Sequence, residues 1–442
     1  MIQYCEGFPA EYIPYQNYTI STIRARYTSK AGQQSFIRLQ NESTTSITAI
    51  ITIYSSTETE KVVDSRVDNS LGPGQEWILS VHDVVFKGHV QSYAYPAGIF
   101  QGSARTFIAT ILKGASNTLF TVQNTGTAST DVTIDIYNTS AILIQSIFVT
   151  IAPGVEYWVD AGQISSLGSS FSGSAVIEAS NSSLVSSAIE LDTGSCVSAR
   201  AFEGVGAGSQ RYYMPSALCN YGDPGQTAST YYAVQNTSLD ENTSVLVRYS
   251  NSATQSASIG SGAKASFSTC SAEGMTSGFL GSATIESYVT PVVAIGKAAD
   301  GGKSTAFVGF TEGANRLALP YVRWTWTDDF YNGTRQRVFI AIQNVGEVPI
   351  TDNILVKYVD KDGKIAGTHT ITQDLEPGAR VNTDPSMAGS YILGYYYDGS
   401  AGAGAIIEVP EDNLLAAIAR ATTYDVNTGL IVAEDYNAQP IP

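Results

Sequence analysis

Four times along the chain a run of strand-forming residues ends in the dipeptide Gln-Asn: Gln40-Asn41, Gln123-Asn124, Gln235-Asn236 and Gln343-Asn344. The intervals are 83, 112 and 108 residues. That period is too long for a solenoid repeat and suits an independent β-sandwich of about 100 residues. The chain therefore reads as a tandem array. Arrays of this kind serve as scaffolds, spacers or adhesive surfaces more often than as enzymes.

After each Gln-Asn the same landmarks follow in order. An alternating strand ends in tyrosine: 47–54 (ITAIITIY), 132–137 (VTIDIY), 245–249 (VLVRY) and 354–358 (ILVKY). Next comes a tight turn, Pro73-Gly74, Pro153-Gly154 and Pro377-Gly378, with Ser261-Gly262 in the third module. Proline presets one turn dihedral and glycine takes the positive φ. Then an aromatic-x-Gly step appears: Phe86-Lys87-Gly88, Phe171-Ser172-Gly173, Phe279-Leu280-Gly281 and Tyr397-Asp398-Gly399. The second and third continue to Glu178 and Glu286, and the fourth reaches Glu408 after an insertion. The first departs most, with His89-Val90. Final hairpins turn at Asp192-Thr193-Gly194, Asp300-Gly301-Gly302 and near Asp425. Period-two alternation bounded by Asp/Gly turns marks antiparallel strands. The nearest thing to a helix, 414–422, sits where the repeat calls for a strand. The expected fold is all-β: four tandem antiparallel β-sandwiches, at 1–105, 106–214, 215–321 and 322–442.

Composition narrows the function classes. Charged residues make up 14%, against about 25% in an average soluble domain, and the net charge is −16. No basic cluster exists to face a phosphate backbone, which argues against nucleic acid. Acidity also disfavours anionic lipid, and no apolar run reaches the roughly 18–20 residues of a membrane helix. The reading is a secreted or surface-displayed protein that calls for no cofactor. The four cysteines, Cys5, Cys196, Cys219 and Cys270, lack metal-like spacing. They allow three pairings. Cys219 and Cys270 share a module, which favours that pair, with buried free thiols as the alternative.

Chemistry-bearing patterns are sparse, and no catalytic or metal-ligating residue is assigned. His82, His89 and His369 are scattered. Glu178, Glu286 and Glu408 occur one per module, whereas a glycosidase needs two carboxylates at one site. They read as solvent-facing strand positions. Asp360-Lys361-Asp362-Gly363 starts like a calcium loop but lacks the later ligands, so a hairpin turn explains it better. Asp328-Asp329 beside Asn332 is a similar weak calcium candidate. Trp77 and Trp158 follow the Pro-Gly turn much as Phe267 follows Ser-Gly, which suggests core packing. Trp324 and Trp326 have no such match. Asn-x-Ser/Thr sequons at Asn17, Asn41, Asn138, Asn181, Asn236, Asn242 and Asn332 permit glycosylation of exposed turns.

The segments between modules also repeat. Phe202-Glu203-Gly204 precedes Tyr213-Met214-Pro215, and Thr311-Glu312-Gly313 precedes Leu319-Pro320-Tyr321. The chain opens with Cys5-Glu6-Gly7 and then Tyr12-Ile13-Pro14. Residues 2–7 thus read as a spare last strand, and Tyr436, Pro440 and Pro442 as a spare linker. A lone strand seeks a sheet edge, and head-to-tail strand addition builds filaments. The expected assembly interface comprises Ile2, Gln3, Tyr4, Cys5, Tyr12, Pro14, Tyr436, Pro440 and Pro442.

Tyr-x-Pro linker, Gln-Asn strand end, Tyr-ending strand, Pro-Gly turn and Phe-x-Gly-Ser-Ala together resemble the tandem Ig-like repeats of bacterial cell-surface and extracellular-filament proteins. The resemblance spans essentially the whole chain. It implies a non-enzymatic component of a surface layer, sheath, fibre or adhesin. Two functions follow as expectations. One is a structural subunit of an extracellular filament, sheath or surface layer that polymerises with itself. The other is a monomeric surface adhesin or spacer array that binds surface glycans.

Overall fold

The computed structural model describes residues 36–41, 45–56, 61–72, 75–80, 102–193, 199–222, 227–300, 303–319, 321–325, 334–360, 363–389, 403–425 and 431–441. Among them all regular structure is antiparallel strand, apart from four short 3-10 turns. The second module runs β5 (Arg105–Lys113), β6 (Ser116–Asn124), β7 (Thr130–Asn138), β8 (Leu143–Ile151), β9 (Glu156–Asp160), β10 (Phe171–Ala179), β11 (Leu184–Asp192) and β12 (Ala199–Glu203). Its two sheets have the orders β5-β10-β7-β8 and β12-β11-β6-β9. In β7 the alternation is plain: Val132, Ile134 and Ile136 are buried, while Asp131, Thr133 and Asp135 face outward.

The third module repeats this plan with β13 (Arg211–Cys219), β14 (Ser229–Asn236), β15 (Thr243–Tyr249), β16 (Thr254–Ile259), β17 (Lys264–Ser268), β18 (Phe279–Ser287), β19 (Val292–Asp300) and β20 (Lys303–Val308). The sheets are β13-β18-β15-β16 and β17-β14-β19-β20. The fourth uses β21 (Arg316–Leu319), β22 (Thr334–Asn344), β23 (Ile354–Asp360), β24 (Ile365–Ile371), β25 (Arg380–Thr383), β26 (Ala403–Glu408), β27 (Leu415–Asp425), β28 (Ile431–Asn437) and β29 (Gln439–Pro440). Its sheets are β24-β23-β26-β21-β29 and β25-β22-β27-β28. In the first module β1 (Phe36–Gln40) pairs β4 (Glu76–Ser80) and β2 (Ile47–Ser56) pairs β3 (Lys61–Leu71). These are the second-with-fifth and third-with-fourth pairings of the later modules. Residues 415–422, which held the faint helical pattern, lie in the central strand β27.

Three expectations need correction. The limits at 214 and 321 are too late, because the Tyr-x-Pro "linker" is the first strand of the following module. β13 spans 211–219 and pairs β18, and its register shifts between Met214 and Ala217. Pro215 sits in that irregularity, where a missing N–H costs no ladder bond. Likewise β21 pairs β26, so the fourth module starts before 321.

The second correction concerns the repeat register between modules. Gly204 closes β12 by donating to Ser186, and its counterpart is Gly309, which donates to Ala294. Glu312-Gly313 lies beyond β20 and is not equivalent to Glu203-Gly204. The third correction concerns the C-terminal segment. Tyr436 pairs Ala419 within the fourth module, its ring packs 6.3 Å from Tyr321, and Pro440 pairs Leu317. After each eighth strand the chain crosses to the other sheet and meets its own first strand, as Val205 meets Phe107 and Phe310 meets Tyr213. Residues 436–441 follow that same path and are not a spare linker.

Candidate functional site

The Gln-Asn landmark is a two-part device. Asparagine works inside its module. Asn124 Nδ2 donates to Ala128 O and Ile151 O, while its Oδ1 accepts from Gly126 N. Asn344 does the same with Val348 O, Leu375 O and Gly346 N. Asn236 donates to Glu241 O and Ile259 O and accepts from Ser238 N. Asn41 donates to Thr45 O and Leu71 O. One amide thus satisfies several turn carbonyls that burial would leave orphaned.

Glutamine works between modules. Gln235 Nε2 lies 3.1 Å from Gly262 O in its own tight turn and 3.1 Å from Ala175 O on β10 of the preceding module. Gln343 Nε2 repeats this with Gly378 O and with Ala283 O on β18, at 3.3 and 3.2 Å. From the other side, Ser174 and Ser282 donate to Gly262 O and Gly378 O at 2.8 and 2.5 Å. Gly154, Gly262 and Gly378 have φ of 69, 67 and 76°, so the turn needs glycine whether or not proline precedes it. Gln123 donates to Gly154 O in the same way.

Apolar packing crosses the same boundaries. Ala233, Val293 and Ile295 of the third module belong to the core of the second, and Ala341 and Ile418 of the fourth to the core of the third. Ala233 matches Ala341, two residues before each Gln, and Ile295 matches Ile418 on the seventh strand. The third module thus contributes side chains to the core of the second, and the fourth to the core of the third.

The junctions differ in their charges. Between the second and third modules, Lys297 Nζ meets Glu190 Oε1 at 2.5 Å and Thr110 Oγ1 at 3.1 Å. Arg200 bridges Glu190 and Asp192 at 3.1 and 2.8 Å. Lys264, 3% exposed, donates to Thr110 Oγ1 at 3.0 Å. Burial pushes Lys264 down to about 7, with Lys297 adding and Glu190 opposing. Burial lowers Lys297 as well, against the pull of Glu190. Burial alone would raise the Glu190 carboxyl, but Lys297, Arg200 and Lys264 outweigh it and hold it below its ordinary value. Between the third and fourth modules, arginines stand at the equivalent positions. Arg380 donates to Gly281 O at 2.9 Å and to Asn382. Arg420 grips Asp435 at 2.7 and 2.6 Å, and Asp435 accepts from Thr305 of the third module at 2.7 Å.

The remaining candidates find structural roles. Glu178, Glu286 and Glu408 each stand directly opposite an arginine of their module's first strand and pair with it: Arg105, Arg211 and Arg316. The aromatic-x-Gly step also has a steric cause. A Cβ on Gly173 or Gly281 would fall 2.6 or 2.3 Å from the ring two residues earlier on the same face. Trp158 corrects the core-packing expectation. Its neighbour Val159 enters the core, so Trp158 faces the other way, half-buried, with Nε1 on Glu156 Oε1 at 2.8 Å. Phe267 does enter its core. Trp324 is buried under Arg337, 4.8 Å from its ring centre. Asp360 and Gly363 form the β23–β24 hairpin turn. His369 Nδ1 lies 2.7 Å from Thr383 Oγ1, and burial lowers its pKa.

Cys219 and Cys270 are joined by a disulfide. Among the sequons, Asn41 and Asn236 are buried with both amide hydrogens engaged, which corrects the expectation that they could carry glycans. Asn181 and Asn242 are exposed, and Asn138 is half-buried at a turn. Ile2, Gln3, Tyr4, Cys5, Tyr12, Pro14, Asn17, His82, His89, Cys196, Trp326, Asp328, Asp329, Asn332, Tyr397, Asp398, Gly399 and Pro442 lie outside the described residues. Among the described residues no group of three His, Cys, Asp or Glu converges as metal ligands would, and no helix is long and apolar enough to cross a membrane. Sequence reasoning missed the Lys264–Lys297–Glu190 cluster. Its members are up to 107 residues apart and follow no motif spacing.

No protein-family model matches the chain, and no curated protein sequence does. Among solved structures, the crystal structure of Thermotoga maritima 1070 is 16% identical and covers 24% of this chain and 96% of its own, with a TM-score of 0.22. The serine-rich repeat protein Srr2 of Streptococcus agalactiae is 9% identical and covers 59% of this chain and 86% of its own, with a TM-score of 0.09. Likenesses at these scores carry nothing about function.

Proposed function

We propose that the chain is a structural, non-catalytic subunit of an extracellular filament, sheath or surface layer that assembles with itself head to tail. The observation that carries this reading is the repeated junction. The same glutamine, turn glycine and apolar pair join module to module twice, with buried polar partners on both sides. Such an arrangement transmits force and orientation along the chain. The Cys219–Cys270 disulfide supports an oxidising, extracellular setting. With residues 436–441 folded into their own module, the head-to-tail contact is assigned to residues 2–14. Electron microscopy and sedimentation of the purified chain, with and without residues 1–10, test the proposal. Filaments or sheets that shorten on deletion support it. Unchanged filaments refute the assigned contact.

The second reading is a monomeric surface spacer or adhesin that binds glycans. It is favoured by that same C-terminal segment, which completes the last sandwich in place of reaching out. A chain that stays monomeric at high concentration supports this reading and sinks the first.

A further inference from the structure

We propose that the junction between the second and third modules is a pH-dependent joint, tightest in alkaline solution and loosening as the pH falls towards 7, while the junction between the third and fourth modules stays unchanged over that range. The geometry rests on five charged side chains packed into one contact. From the third module come Lys264 on β17 and Lys297 on β19. From the second come Glu190 and Asp192 on β11 and Arg200 on β12, with Thr110 on β5 as the neutral hinge of the cluster. The Phe202 ring lies 5.8 Å from Lys297 and closes that side.

Three cations thus face two carboxylates. Glu190 is matched by Lys297 and Arg200, and Asp192 by Arg200. Among the described residues, Lys264 has only the Thr110 hydroxyl within hydrogen-bond reach. A charged ammonium there is desolvated without a carboxylate of its own, which the buried interior disfavours. The neutral amine fits the closed junction, and the ammonium is better served when the junction opens to water.

The sign follows from linkage. In the open junction Lys264 titrates as an ordinary lysine, near 10.4, and in the closed one at about 7. Closure therefore releases a proton between these limits. The closed form gains with rising pH through that window, by about tenfold per pH unit for one proton, and levels off below about 7. Lys297, also lowered, acts in the same direction. Glu190, held low when closed, adds loosening only once the pH falls below the ordinary carboxyl range. At the other junction the groups facing the contact are Arg380, Arg420 and Asp435, with Tyr232 and Tyr221 nearby. Burial and Arg420 press Arg380 down to about 9, so it keeps its charge from pH 7 to 8.5. The two junctions share one design and differ in lysine against arginine.

That equivalence supplies an internal control. Ser174 and Ser282 occupy the same position, fully buried, at the two junctions. Single variants Ser174→Cys and Ser282→Cys in the full chain are exposed to a thiol reagent between pH 7 and 8.5, with labelling mapped by peptide mass. The ratio of the two rates cancels the thiol's own pH dependence. The proposal expects this ratio to rise about tenfold per unit as the pH falls. It also expects Lys264→Met to leave the joint closed and to cut the slope to what Lys297 alone contributes. A flat ratio in the unmodified background overturns the proposal, as does a slope that Lys264→Met leaves undiminished. Should a cysteine variant fail to fold, amide exchange at Gly262 against Gly378 in the native chain decides the same question, since both turn amides sit under the equivalent contact.

Discussion

Asn344 shows how much one side chain is asked to do. Its amide holds Val348 O and Leu375 O and takes Gly346 N, closing two turns at once. Asn344→Ala leaves buried backbone groups unpaired, each costing about 1–3 kcal/mol. Urea unfolding of that variant is expected to show a loss in this range or above it, with an unchanged strand signature by circular dichroism. Glu190 is the sharper case. Glu190→Gln removes the partner of two buried cations, and breaking a buried pair typically costs about 3–5 kcal/mol. The native carboxyl is held low, so its contribution is present above the ordinary carboxyl range and is lost as the pH falls through the lowered value. Acid unfolding of the Glu190→Gln chain is therefore expected to be flatter than that of the native chain. By contrast, Arg211 and Arg248 are about half-exposed around Glu286. Removing either is expected to change stability by less than about 1 kcal/mol in the same assay.

At the scale of elements, the strands and the Asn turns were legible because their causes are local. Alternation decides the face, glycine the positive φ, and asparagine the turn. The Gln half of the landmark was visible as a repeat but not as a contact, because its partners, Ala175 O and Ala283 O, are backbone atoms of another module. Backbone acceptors leave no mark in a sequence. The boundary at 214 failed for a related reason. Pro215 looks like a linker residue, and only the irregular β13–β18 register shows that a strand tolerates it. The outward turn of Trp158 shows that spacing from a turn does not fix a face, since one residue of slip reverses it. Within the third module the Cys219–Cys270 bridge closes a separation of 51 residues. The chain-entropy estimate for such a loop is about 4 kcal/mol. Reduction is expected to lower the midpoint of the transition that the third module shares with its neighbours, as read by calorimetry with and without reductant.

Over the whole molecule the account rests on coupling. Independent beads would leave each module's outer face polar, yet Ile295 and Ile418 are buried in the core of the preceding module. The most direct test is differential scanning calorimetry of the full chain beside a Gln235→Ala, Gln343→Ala double variant. The account predicts that the second to fourth modules of the native chain melt in one coupled transition, and that the double variant separates it into distinct, lower transitions. Three independent transitions in the native chain, unmoved by the double variant, would contradict it.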